Sequence, residues 1–77
     1  MRFDIVGEPS AALVCRLVGL VAQHDLEAPD LEIRTVAGCM EMRLEIEEMG
    51  GAIGTILAQK MARCIGVEAV ALNGVPV

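Results

Sequence analysis

From Met40 to Glu47 apolar and charged residues alternate without a break: Met40, Met42, Leu44 and Ile46 against Glu41, Arg43, Glu45 and Glu47. Successive side chains of a strand point to opposite faces, so this pattern calls for a sheet with one buried face and one wet face. A helix cannot use it, because a period of two scatters the apolar side chains around a cylinder of about 3.6 residues per turn. The preceding segment repeats the pattern more briefly, with Leu31 and Ile33 opposed to Glu32 and Arg34 from Asp30 onward. Gly38 stands between the two as a tight-turn residue. The pair reads as an antiparallel hairpin.

The rest of the chain supplies what covers such a hairpin. Arg2 to Gly7 alternates (Phe3 and Ile5 against Arg2 and Asp4) and predicts a short strand, which Gly7-Glu8-Pro9-Ser10 ends. Ser10 can cap a helix from Ala11 to about His24, whose Leu13, Leu17, Leu20 and Val21 share a stripe, with Val14 and Val18 beside it. Asp25 to Pro29 is a break. Gly50-Gly51 ends the hairpin, and a second helix is predicted from about Ala52 to Cys64, with Gly66 suited to its C-terminal end. Val67 to Leu72 reads as a last strand, and Asn73 to Val77 as a tail.

The predicted order is β-α-β-β-α-β. Right-handed crossovers then put both helices on one face of a four-stranded antiparallel sheet, an α+β, ferredoxin-like plait. Its other face would show Asp4, Glu32, Arg34, Glu41, Arg43 and Glu45. One domain is expected over residues 1–77, with its core from about 3 to 72. The 77 residues hold one Phe and no Tyr or Trp, so that core must be aliphatic and Met-rich. A domain of this size buries only ~60% of the surface its unfolded chain exposes, so a partner would help it.

Six Lys and Arg against eleven Asp and Glu give a formal charge of −5, which argues against a nucleic-acid surface. The near absence of aromatics removes base-stacking platforms as well. The longest uncharged run, Met49 to Gln59, falls far short of the ~20 apolar residues of a membrane span. Asp4, Glu8 and Arg16 interrupt any signal-peptide pattern. Three cysteines without a C-x-x-C spacing do not form a disulfide framework, so a reducing cytoplasmic setting is expected.

Little here points to catalysis. His24, the only His, falls at a helix end, where a C-terminal cation is the plain reading. Cys15 and Cys64 lie among apolar helix residues, which leaves Cys39 beside the hairpin turn as the accessible thiol. Glu45, Glu47 and Glu48 read as a solvated acidic stretch rather than a metal site. Gly50-Gly51-Ala52-Ile53-Gly54-Thr55 lacks the Lys-Ser/Thr of a phosphate loop. Gly19 and Gly54, each costing ~1 kcal/mol inside a helix, predict close packing contacts. No enzyme activity, metal or cofactor is expected. The Glu8-Pro9-Ser10 loop delivers a helix N-terminus, whose unpaired N–H groups suit a carboxylate or other small anion.

The plait and that loop together resemble an ACT domain, a small ligand-sensing module of amino-acid metabolism. The matching features are the strand Phe3-Asp4-Ile5-Val6, the Pro9 loop, the helix RLVGLVAQHD (Arg16 to Asp25) and the ending CIGVEAVAL (Cys64 to Leu72). The helix is most similar to the small regulatory subunits of acetolactate synthase. The resemblance implies a non-catalytic regulatory domain that binds a small amino acid at Glu8, Pro9, Ser10 and Ala11. It also implies a homodimer joined through edge strands and a catalytic partner subunit of an amino-acid biosynthetic enzyme. The opposing reading is a homodimerising interaction module with no metabolite ligand. The chain departs from the family at Ser10, where Gly is usual, and at Asp25, where a Gly commonly follows the first helix.

Overall fold

The computed structural model describes residues 1–48 and 50–77; Met49, which opens the longest uncharged run, lies outside the described residues. The elements are β1 (Arg2–Gly7), α1 (Ala11–Gln23), β2 (Asp30–Val36), β3 (Cys39–Glu45), α2 (Ile53–Ala62), β4 (Val67–Leu72) and β5 (Val75–Pro76). All pairings are antiparallel, in the order β2-β3-β1-β4-β5.

The sheet therefore has five strands, not four. The expected tail turns back on itself at Asn73-Gly74, both with positive φ (51° and 83°), and lays Val75 against Leu72. That pair of left-handed residues is what a two-residue hairpin of matching twist requires. Ala37 and Gly38 (φ 50° and 80°) make the same kind of turn between β2 and β3.

The alternation of β3 places Met40, Met42, Leu44 and Ile46 in the core beside Phe3, Ile5 and Val70. Leu13, Leu17 and Val21 of α1 and Leu57, Ala58 and Met61 of α2 close the same face. Burying a large apolar side chain such as Phe3 or Leu44 contributes roughly 1.5–3 kcal/mol. Gly54 fits this packing, since a Cβ there would meet the Met1 Sδ at 3.0 Å and a Leu72 methyl at 3.4 Å. Gly19 does not: a Cβ there would meet nothing within 4 Å. Its expected packing contact is absent, because it sits on the flank of α1 away from Leu13, Leu17 and Val21.

Helix α1 ends in a double hydrogen bond, Asp25 N–H to the Ala22 carbonyl (3.0 Å) and Leu26 N–H to the Val21 carbonyl (3.5 Å). Asp25 takes the left-handed conformation (φ 55°) that glycine usually fills in this motif. Asp25 thus stands where glycine would be expected in sequence while keeping glycine's geometry.

Strand β2 differs from its neighbours. Every residue in it is exposed, Leu31 and Ile33 included (42% and 44%), although they share a face with the buried Leu44 and Met42. The two helices cover β3, β1 and β4 and stop short of this edge.

Candidate functional site

The loop from Glu8 to Ala11 is built by a close approach of two backbones. A Cβ on Gly7 would stand 2.5 Å from the Gly66 carbonyl oxygen and 3.2 Å from a Leu13 methyl. This allows the Glu8 N–H to donate to the same carbonyl at 2.9 Å. The β1–β4 register shifts between Val6 and Gly7, so the strand ends in a bulge there. Ser10 N–H then donates to the Glu8 carbonyl across Pro9 (2.8 Å), a tight three-residue turn.

Ser10 is the N-cap of α1, with extended backbone (φ −130°, ψ 125°). Its hydroxyl accepts from the Leu13 N–H at 3.3 Å, and its carbonyl accepts from Val14 at 3.2 Å. Among the described residues, the amides of Ala11 and Ala12 have no protein acceptor. Glu8, Pro9 and Ala11 are exposed, and Ser10 is half-buried. The four predicted residues are therefore contiguous at one open end of the domain, beside the β2–β3 turn and the start of β4. An oriented pair of free N–H groups at a helix N-terminus can receive a carboxylate.

A second bond ties this end together. Arg16 donates from Nη2 to the Ile65 carbonyl at 3.1 Å, joining α1 to the α2–β4 turn. The role of Gly7 and of Arg16 was not read from the sequence. A glycine ending a strand just before a proline loop was the available signal for the first; nothing local marks the second.

The outer face of the sheet carries the predicted charges. A depression of about 410 Å³ there is lined by Asp4, Glu32, Arg34, Glu41 and Arg43 among others, and does not reach the Glu8–Ala11 loop. Asp4 accepts from Arg43 Nε at 2.9 Å and from Arg2 Nε at 3.0 Å, and Arg34 pairs with Glu41 at 3.1 Å. Burial pushes the Asp4 carboxyl up, but the hydrogen bonds and charges of Arg43 and Arg2 together hold it below its ordinary value. Arg43 is held up in turn by its bond to Asp4. Asp4 and Glu41 are thus paired with neighbouring arginines, which suits a solvated, internally paired surface.

The other residues considered above fall as follows. His24 is the C-cap of α1, and its Nε2 lies 3.2 Å from Lys60 Nζ. Cys15 is exposed, whereas Cys39 and Cys64 are intermediate, which reverses the expected order of access. The flank of α1 that bears Cys15 also bears Gly19, where an added Cβ would meet none of the described residues within 4 Å. Among the described residues, no three His, Cys, Asp or Glu side chains cluster to hold a metal ion, and no helix is long and apolar enough to cross a membrane.

A family model described as an ACT-like domain matches residues 1–76. The chain belongs to the ACT-like domain family. ACT domains are regulatory, ligand-sensing modules rather than catalysts. The crystal structure of the ACT domain from GTP pyrophosphokinase of Chlorobium tepidum is similar to this chain, with a TM-score of 0.76 and 21% identity over 91% of each chain. A solution NMR structure of the same ACT domain gives a TM-score of 0.74 at 21% identity, covering 91% of this chain and 80% of the other. At that identity the likeness is one of fold. No curated protein matches the chain.

Proposed function

We propose that this ACT-like domain is a regulatory, ligand-sensing module that binds a small amino acid at the start of α1 and acts on a partner enzyme. The observation that carries the reading is the state of the first helical turn. Ser10 satisfies the Leu13 amide, while the Ala11 and Ala12 amides stay open to solvent at an exposed loop. An α-carboxylate fits two such donors, and the nearby Glu8 carboxylate, exposed in the same loop, suits an α-ammonium.

The partner enzyme belongs, on this reading, to amino-acid metabolism, as the likeness of Arg16 to Asp25 to acetolactate synthase regulatory subunits implies. The similar fold in GTP pyrophosphokinase offers a different kind of partner. The domain works as a homodimer in the cytoplasm, and the open edge of β2 supports that pairing.

Calorimetric titration with the branched-chain amino acids, serine and phenylalanine tests the reading. Heat with one of these in the wild type, lost in a folded Ser10→Phe variant, is the expected result. Binding that survives Ser10→Phe moves the site elsewhere. Silence across the panel favours the second reading, a homodimerising interaction module without a metabolite, which the exposed Leu31 and Ile33 support.

A further inference from the structure

We infer that α1 and α2 together form a docking face for a helix of a partner protein, one that carries acidic residues on both sides of an apolar stripe. This deepens the proposed action on a partner enzyme and rests on it, but it does not involve the Glu8–Ala11 loop and can fail separately.

Charge is divided unevenly between the two layers. Neither α1 nor α2 contains an Asp or Glu, so all eleven acids lie on strands and loops. The six cations divide as well. On the sheet, Arg2 and Arg43 pair with Asp4, and Arg34 pairs with Glu41. In the helical layer, Arg16, Lys60 and the α2 C-cap Arg63 form no ion pair among the described residues. A chain of net charge −5 thus shows three unpaired cations and no acid over its helices.

These three cations line one valley. Arg16 Nη2 donates to the Ile65 carbonyl at 3.1 Å, and Lys60 Nζ lies 3.2 Å from His24 Nε2. The two contacts fix which flanks of the antiparallel helices meet. Ala12, Arg16 and Gln23 stand on the α1 side, and Ile56, Lys60 and Arg63, at i, i+4 and i+7, on the α2 side. All six are exposed.

Apolar surface lies among them. Ile56 is 44% exposed, and Ile65, beside Arg16, is 87% exposed. Between Arg16 and Gln23 the surface of α1 dips at Gly19, where an added Cβ would meet nothing within 4 Å. A side chain from outside has room there without displacing any described residue.

The occupant follows from this chemistry. A valley between two helices receives a third through apolar anchors spaced three and four residues apart. Cations on both rims call for carboxylates beside those anchors. A second copy cannot supply them from its own helices, which bear the same cations and no acid. A partner's edge strand does not suit the valley, because helices satisfy their own backbone groups and leave no ladder to extend. Nucleic acid and anionic membranes call for a denser run of Lys and Arg, and the net charge of −5 repels both.

The test titrates the isotope-labelled whole chain with a helical peptide that carries Leu at every third and fourth position and Glu beside them. Amide shifts are expected on α1 and α2, around Gly19, Gln23 and Ile56, with binding that weakens as salt rises. The same peptide with Lys in place of Glu should not bind. Lys60→Glu combined with Arg63→Glu should weaken the acidic peptide by about tenfold or more and admit the Lys peptide, with folding checked by circular dichroism. An acidic peptide that leaves the helices unshifted, or a Lys peptide that binds wild type equally well, overturns the docking face. So do phosphatidylglycerol vesicles that shift these amides more readily than the peptide does. Helix amides that shift when the chain alone is diluted would place a second copy there and overturn it too. Peptide binding alongside silence in the amino-acid titration keeps the docking face and removes the sensing site; the converse removes only the docking face.

Discussion

The Gly66 carbonyl oxygen lies 2.5 Å from the point where Gly7 would carry a Cβ. No backbone oxygen can tolerate a carbon so close, so Gly7→Ala must push β1 and β4 apart at the base of the loop. We expect a loss of about 1–3 kcal/mol, the usual cost of overpacking. Urea denaturation checks it, with an unchanged midpoint counting against the contact.

Gly19 lies at the other extreme. A methyl group added there meets nothing within 4 Å, and α1 gains the helix propensity of alanine. Gly19→Ala should stabilise the domain by about 0.5–1 kcal/mol. A destabilised variant would mean that another surface packs on this flank.

Removing the Ser10 hydroxyl leaves the Leu13 amide without its acceptor. Ser10→Ala is expected to cost about 0.5–2 kcal/mol, and Ser10→Gly only a few tenths. Thermal unfolding of the two variants side by side measures the difference. Equal losses would show that the cap contributes through the backbone alone.

Asp4 makes stability depend on acid. Its carboxyl is held below the usual value of 3.8, so its contribution is present above about pH 4 and is lost as the pH falls through the lowered value. The urea midpoint of wild type should therefore exceed that of Asp4→Asn near neutrality, and the gap should close in acid well below that usual value. A gap that persists there would place the effect of the substitution outside the Arg2 and Arg43 bonds.

Ala37 occupies a left-handed position of the β2–β3 turn (φ 50°) ahead of Gly38. Asparagine adopts that conformation more readily, so Ala37→Asn should raise stability by up to about 1 kcal/mol. Chemical denaturation is sufficient to see it.

The hairpin, both helices and the ends of β1 and β4 were legible because each rests on periodicity or on a residue with one obvious use. Strand β5 was not, since two residues have no period. Its signal was the Asn73-Gly74 pair, a hairpin turn in its own right. Alternation also assigned Leu31 and Ile33 to a core face correctly while saying nothing of how far the helices reach. Coverage is a property of the whole layer, and no short stretch of sequence records it. The Ser10 cap was readable from its type and place, whereas the Gly7–Gly66 contact joins residues that only the fold brings together.

Strand β1 is flanked by β3 and β4, and the Arg2 N–H reaches the Asn73 side chain at 2.8 Å across 71 positions. In chain order it precedes both of its neighbours. A ribosome adding about 5–20 residues each second therefore releases Phe3 and Ile5 seconds before their partners exist. Pairings so distant in sequence are also the slow ones when a chain folds from solution. The centre of the sheet is the first strand to be made and the last to be held on both sides.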